Sequence, residues 1–309
     1  MNSCPPVLLI IFNRPKLAAL VLDAIRRQKP KRLYIASDGP RCLEDYPNDL
    51  NRCQECRKLV QTVDWPCEIF TRYNEDNMGC GKGPSSAITW FFEKESSGII
   101  LEDDCLPDDD FFNFCAELLV RYSDVDEIMH ICGNNFGDPK ARNACNGFSY
   151  GYGRYAQVWG WASWARAWSH FKHDLGADVE DAHHFKVRGV ERLRQGIHQE
   201  RVRSTLVERK QDVWDYQWQF AVLKRAGLVA CPSVNLISNL GFGEDATHTR
   251  NWNSPVARAS MESLSMPLKH PTKLYESPLL NQIYANHMLG RYWKLRRKLI
   301  KSWIRSLYN

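Results

Sequence analysis

Gly98-Ile-Ile-Leu-Glu-Asp-Asp-Cys-Leu-Pro107 is the stretch on which the reading of this chain turns. Residues 98–101 are a short apolar run of the kind that forms a buried strand. It ends on three consecutive acids, Glu102, Asp103 and Asp104. Residues 108–122 then carry a helical pattern, and Asp108, Asp109 and Asp110 suit the positive end of a helix. A solvated turn accounts for those later acids. It accounts less well for three acids directly behind Ile-Ile-Leu. Hard divalent cations bind carboxylate oxygens, and Mg²⁺ or Mn²⁺ shares its shell with substrate phosphates, so a strand-end acidic cluster points to metal-assisted chemistry.

Upstream, residues 7–12 read as a buried strand. Pro15 then opens a helix with Leu17, Leu20, Val21, Ala24 and Ile25 on one face. A second strand, 33–37, runs into the turn Ser37-Asp38-Gly39-Pro40. Residues 51–63 read as helix, 68–72 as strand, 74–83 as loop, 84–95 as helix and 128–132 as strand. This alternation predicts an α/β unit with a mostly parallel sheet flanked by helices. In such sheets ligands bind beyond the carboxyl ends of the strands, so Asp38, the 74–83 loop and the acidic triplet should converge. Beyond about residue 135 the composition changes. Gly and aromatics dominate 147–168, including Trp159, Trp161, Trp164 and Trp168. Residues 170–212 and 211–226 read as helical, 227–237 as a pair of short strands, and the segment from 238 to about 285 as loop-rich.

The chain has 309 residues, 44 % of them hydrophobic and 25 % charged, which fits a folded protein with a sizeable core. No apolar run reaches the length that spans a bilayer. The opening MNSCPPVLLIIFNRP lacks a basic segment, and its short apolar stretch reads as the first strand rather than a signal peptide. Eleven cysteines, an odd number spread through predicted strands and helices, fit a reduced, cytoplasmic setting. The formal charge is +5, but residues 291–309 hold seven Lys or Arg and no acid, which leaves the remainder at −2. An acidic body argues against broad nucleic-acid binding. The tail itself, at helical spacing, places Leu295, Leu299, Trp303 and Leu307 opposite its basic residues, with only Arg296 among the apolar positions. That pattern suits the surface of an anionic membrane.

Three smaller features bear on the site. In Asn77-Met-Gly-Cys-Gly-Lys-Gly-Pro-Ser85 the spacing is wrong for a phosphate-binding P-loop. Its glycines admit close backbone approach and would bring Lys82 near a diphosphate. Cys42, Cys53, Cys56 and Cys67 have a spacing compatible with zinc, although buried inert cysteines are the commoner outcome. The aromatics of 150–168 read mostly as core, with Trp159 or Trp161 lining a sugar site.

Taken in order, Ile-Phe-Asn-Arg-Pro (11–15), Ser-Asp-Gly (37–39), the strand with Glu-Asp-Asp, Asp109-Asp110-Phe111-Phe112, Gly160-Trp161 and Trp214-Asp215-x-x-Trp218 resemble GT-A nucleotide-sugar glycosyltransferases. The nearest likeness is to the eukaryotic N-acetylglucosaminyltransferases that extend the mannose core of N-glycans, and to related bacterial sugar transferases. It spans about residues 5–250.

The resemblance implies a GT-A, Rossmann-like fold with a loop-rich acceptor half. By the change in composition, a nucleotide-sugar-binding half would cover 1–135 and an acceptor-binding half of the same domain 136–290, while the basic amphipathic helix 291–309 stands outside the resemblance. Asp104 would bind Mn²⁺ or Mg²⁺ directly, with Glu102 supporting the metal's waters and Asp103 touching the donor sugar or ribose. Asp38 would accept from the base, Arg14 would face the nucleotide, and Trp161 would line the donor site. His248, in a late Gly-rich loop, would complete the metal shell. The implied activity is inverting transfer of a hexose or N-acetylhexosamine from a nucleotide diphosphate, UDP foremost, to a glycan or lipid-linked acceptor. The catalytic base should then come from the acceptor half, and among Asp212, Asp215, Glu244 and Asp245 the Trp-Asp-x-x-Trp context favours Asp215. A cytoplasmic enzyme, peripheral on the inner face of a membrane, is the implied setting. The rival expectations are a nucleotidyltransferase acting on sugar phosphates and a catalytically inactive sugar-nucleotide-binding protein.

Overall fold

The computed structural model describes residues 3–176, 178, 186–190, 192–206, 212–242 and 259–289. Its first elements follow the predicted alternation. They are β1 (Val7–Ile11), α1 (Pro15–Gln28), β2 (Arg32–Ser37), α2 (Asp49–Lys58) with a 3₁₀ turn at Leu59–Thr62, β3 (Glu68–Tyr73), α3 (Gly79–Phe92) and β4 (Ser97–Glu102). The chain continues through β5 (Cys105–Pro107), α4 (Asp109–Arg121), β6 (Ile128–Cys132), α5 (Lys140–Ala144), β7 (Tyr150–Gly153) and β8 (Trp161–Trp164). It closes with α6 (Ala165–Trp168), α7 (Arg192–Leu206), α8 (Asp215–Lys224), β9 (Leu228–Pro232), β10 (Ile237–Asn239) and α9 (Pro278–Leu289).

One eight-stranded sheet runs in the order β3-β2-β1-β4-β8-β6-β9-β7, and β10 pairs with β5 in a separate two-stranded ribbon. β1, β2, β3 and β4 are mutually parallel where they pair. β8 runs antiparallel to both β4 and β6, and β7 antiparallel to β9. β6 and β9 pair in parallel and run in the direction of β4, so six of the eight strands point one way, as expected, and β7 and β8 are the antiparallel members. The antiparallel strands come from the aromatic 147–168 segment, where period-two alternation is hidden because these strands are buried along their whole length. The α/β class with flanking helices stands as expected. β8 sits between β4 and β6, so the two halves of the chain share one sheet.

Alternation builds a core on each face of that sheet. Val7, Leu9 and Ile11 of β1, Leu33 and Ile35 of β2, and Ile99 and Leu101 of β4 pack on one side with α1 and α4. Leu8, Tyr34, Ala36 and Ile100 point the other way, into a cluster with α3, α8 and α9. After β1 the chain moves outward to β2 and β3, then returns to place β4 on the far side of β1. The carboxyl ends of β1 and β4 thus flank the point where strand order reverses, which is where α/β sheets open a crevice.

The second half is pinned to the sheet through His130 of β6. Its Nδ1 accepts from the Trp218 indole at 3.1 Å, so Nε2 carries the proton and donates to the Gln157 carbonyl at 2.9 Å. The ring stacks on Trp161 with centroids 4.9 Å apart. All eleven cysteines are free thiols. Among the described residues no helix is long and apolar enough to cross a membrane.

Burial holds the His130 imidazole far below its ordinary range, at about 3, even though the hydrogen bond to Gln157 favours the charged form. The unfolded chain takes up this proton near pH 6.5, as an unperturbed histidine does, so between these values the unfolded state binds more protons and stability rises with pH. Denaturant unfolding followed from about pH 7 to about pH 4 should show stability falling with acidity below about pH 6.5. In His130→Asn that fall should be shallower by the slope of one proton.

Candidate active site

A cleft of about 530 Å³ opens at the reversal point. It is lined from the first half by the ends of β1, β2 and β4 and the first turns of α3, and from the second half by Val158, Trp159 and residues 213–216. Asp38, Glu102, Asp103 and Asp104 line it, as the strand-end argument requires, and Arg14 and Asp215 line it with them.

The acidic triplet is answered by one guanidinium. Arg14, in the turn between β1 and α1, places Nη1 2.5 Å from Asp104 Oδ2 and 3.5 Å from Asp103 Oδ1. Burial opposes the charge on Arg14, yet the carboxylates around it hold its pKa above the ordinary value. Asp103 is buried, and its Oδ2 accepts the Phe12 backbone N–H at 3.0 Å, so it ties the exit of β1 to the end of β4. One cation among three acids leaves an excess of negative charge in a poorly hydrated place. Burial first, then repulsion from Asp104 and Asp103, raises Glu102 to about 8, and Asp215 adds to this, which puts its charge within reach of the triplet. Asp103 is pushed up to about 6, again mainly by burial, with Arg14 pulling the other way.

Asp38 has a structural task as well as a place in the cleft. Its carboxylate accepts from Met78 N at 3.0 Å, Gly79 N at 3.1 Å and Asn74 Nδ2 at 3.1 Å, so it neutralises the start of α3. Arg57 braces the same corner, donating to the Asp38 carbonyl at 3.1 Å and the Asn74 carbonyl at 2.6 Å. Arg41 also lines the cleft. Asp49 grips its guanidinium at 2.6 and 3.0 Å and accepts from Asn13 at 2.7 Å. Neither arginine was singled out from sequence. The proximity of Arg41 to the Ser-Asp-Gly turn was the available signal, but its partner Asp49 opens a different element.

Three expectations are corrected here. The Gly-rich segment is not a loop, because α3 begins at Gly79. Lys82 is exposed and does not line the cleft. Gly79, Cys80, Gly83, Pro84, Ser86 and Ala87 face the cleft at helical spacing, and that same spacing turns Lys82 away. Trp161 is wholly buried, stacked on His130 within the core. Trp159, just outside β8, takes the cleft-facing place and meets Phe242 edge-on at 5.8 Å.

α8 starts at Asp215, and the capping position belongs to Trp214, whose side chain makes no cap bond. Asp215 is therefore not the N-cap. Asp212 does not line the cleft; its carboxylate accepts from Gly81 N at 3.0 Å. His248, Glu244, Asp245 and the tail 291–309 lie outside the described residues.

Among the described residues no group of three His, Cys, Asp or Glu is arranged to hold a metal, the four-cysteine set included. The donor chemistry at the triplet nonetheless suits a hard divalent cation. It offers uncompensated carboxylate oxygens, and Mg²⁺-type ions commonly take only one or two protein carboxylates and complete their shell with phosphates and water. Compared with known proteins, the chain matches no family model and no curated protein.

Replacing Asp38 by Ala leaves the first amides of α3 without their carboxylate. Urea unfolding should show a loss of about 1 kcal/mol with an unchanged m-value, as for other helix-start carboxylates. Asp38→Asn, which keeps an acceptor oxygen, should recover much of it.

Proposed function

We propose that this protein is a metal-dependent GT-A glycosyltransferase that moves a hexose or N-acetylhexosamine from a nucleotide diphosphate, UDP by preference, to a glycan or lipid-linked hydroxyl. The observation that carries the reading is the meeting, in one cleft, of a strand-end carboxylate triplet from the first half with Asp215 and its flanking aromatics from the second. An all-acidic cleft repels a bare diphosphate. A cleft lined by Arg14, Arg41 and Arg72, with carboxylates suited to a divalent cation, accepts it.

In this reading Asp104, with His248, holds Mn²⁺ or Mg²⁺, and Glu102 orders the water around it. When bound, the ion supplies charge to stabilise the departing diphosphate. Arg14, already in the cleft, adds a second positive charge on the nucleotide side. Trp159 and Tyr216, with the buried Trp214 behind them, offer apolar surface against which sugar rings pack and water is excluded. Asp215 takes the proton from the acceptor hydroxyl as that oxygen attacks the anomeric carbon, on the face opposite the leaving diphosphate. The product is a glycoside of inverted configuration. Asp38 and Asn74 form the polar wall beside which the base would lie.

Asp104→Ala should abolish Mn²⁺-dependent binding of UDP-sugar in calorimetry while the protein stays folded. Mn²⁺ dependence equal to wild type would overturn the metal assignment. Asp215→Asn should lower turnover by a factor of ~10² or more with donor affinity nearly unchanged, since it removes a proton acceptor but not a donor contact.

We also propose that residues 291–309 hold the protein on anionic lipid, on the cytoplasmic side where a lipid-linked acceptor would be presented. The support is the segregation, at helical spacing, of six of the seven cations, all but Arg296, from Leu295, Leu299, Trp303 and Leu307. A chain ending at Gly290 should lose sedimentation with phosphatidylserine vesicles and keep its activity on a water-soluble acceptor. Equal sedimentation of both chains would reject the role.

A further inference from the structure

The first turn of α3 is built around a carboxylate that arrives from 131 positions away in the chain. Asp212 Oδ1 accepts the Gly81 backbone N–H at 3.0 Å. A Cβ on Gly81 would lie 2.3 Å from that oxygen, and one on Gly79 would lie 2.1 Å from the other. Gly79 also has a φ of +80°, which side-chain-bearing residues rarely adopt. The Val213 carbonyl lies 3.2 Å from the same Gly81 Cβ position, so the main chain after Asp212 also rests on this turn. Glycine costs helix stability and is poorly placed in a helix without a reason. Here the reason is room for Asp212.

The segment seated this way is the one that forms the acceptor-side wall of the cleft. Val213, Trp214, Asp215 and Tyr216 all line it. The opposite side of the same α3 turn is held by Asp38 through Met78 N and Gly79 N. The start of α3 is thus gripped between one carboxylate from the end of β2 and another from the entry to α8. We propose that Asp212 is a positioning residue: its bond to Gly81 locks the Val213-Trp214 turn onto α3 and so fixes Asp215 at its distance from the donor end of the cleft. This rests on the reading of Asp215 as the base. A base displaced by about 1 Å can cost a factor of ~10² in rate without any change in donor contacts, so the lock acts on turnover rather than on donor binding.

Two independent measurements test it. The first is a double-mutant cycle in thermal unfolding. Ala in place of Gly within a helix ordinarily raises the melting temperature. Gly81→Ala should lower it in the wild-type background, where the new methyl meets the Asp212 carboxylate, and should lower it much less, or raise it, beside Asp212→Ala. Hydrogen exchange of the Gly81 amide should speed up in Asp212→Ala. The same effect of Gly81→Ala in both backgrounds, or unchanged exchange, would overturn the lock.

The second measurement is kinetic, made well below the melting temperature of every variant. Asp212→Ala should lower kcat at least tenfold with donor KM within about twofold, and Asp212→Asn, which keeps the acceptor oxygen, should restore most of it. Wild-type kcat in folded Asp212→Ala would overturn the positioning role. Should wild-type protein transfer no sugar from any nucleotide donor, the functional reading falls and the role toward Asp215 falls with it. The unfolding cycle still decides the lock.

Discussion

Three carboxylates at the end of one buried strand, with a single guanidinium to answer them, are the constraint around which this structure is arranged. Burying like charges side by side is costly, and one removed counter-charge would leave the remainder uncompensated. The chain meets the cost by bringing Arg14 from the turn after β1 into contact with Asp103 and Asp104, while Asp103 also accepts the Phe12 amide. β1 and β4 are adjacent and parallel, with Ile10 opposite Glu102, so the sheet register itself delivers Arg14 to the triplet. The same contact shapes the far side. A Cβ on Gly241 would lie 2.0 Å from Asp104 Oδ2, so a side chain there would have to displace the Asp104 carboxylate.

The second half of the chain reaches this centre through core packing. β8 inserts between β4 and β6, and its Trp161 joins His130, Trp168, Trp214 and Trp218 in one buried aromatic cluster. The Trp218 indole bonds His130, and α8 is thereby held with Asp215 at its first turn beside the cleft. Of the tryptophans in the 150–168 run, which read mostly as core, Trp161 and Trp168 hold that helix. The one that reaches the cleft from this run is Trp159, which lies outside the strand and escapes its alternation.

Conformational freedom and polar satisfaction are settled together at the start of α3. Four N-terminal amides of any helix need partners from outside it. Here Asp38 serves Met78 and Gly79, and Asp212 serves Gly81. Two halves of the fold are thus joined through backbone donors, which are the same whatever the side chains around them.

The α/β class, most of the elements of the first half within a few residues, and the convergence of Asp38 with Glu102, Asp103 and Asp104 were legible in the order of residues alone. These follow from local periodicity and from the rule that parallel strands present their carboxyl ends to one edge, both readable without tertiary contacts. The rest came from packing between distant segments. The rotation of α3 turned Lys82 outward, burial on both faces of β8 took Trp161 into the core, and Asp212 was drawn from the list of candidate bases to a backbone amide. Arg41 and Arg57 gained their places through Asp49 and through the carbonyls of Asp38 and Asn74. Each of these depends on a partner distant along the chain or on the angle of one element against another. Spacing within a segment carries the period of a helix or strand, but not the direction in which the packed core turns it.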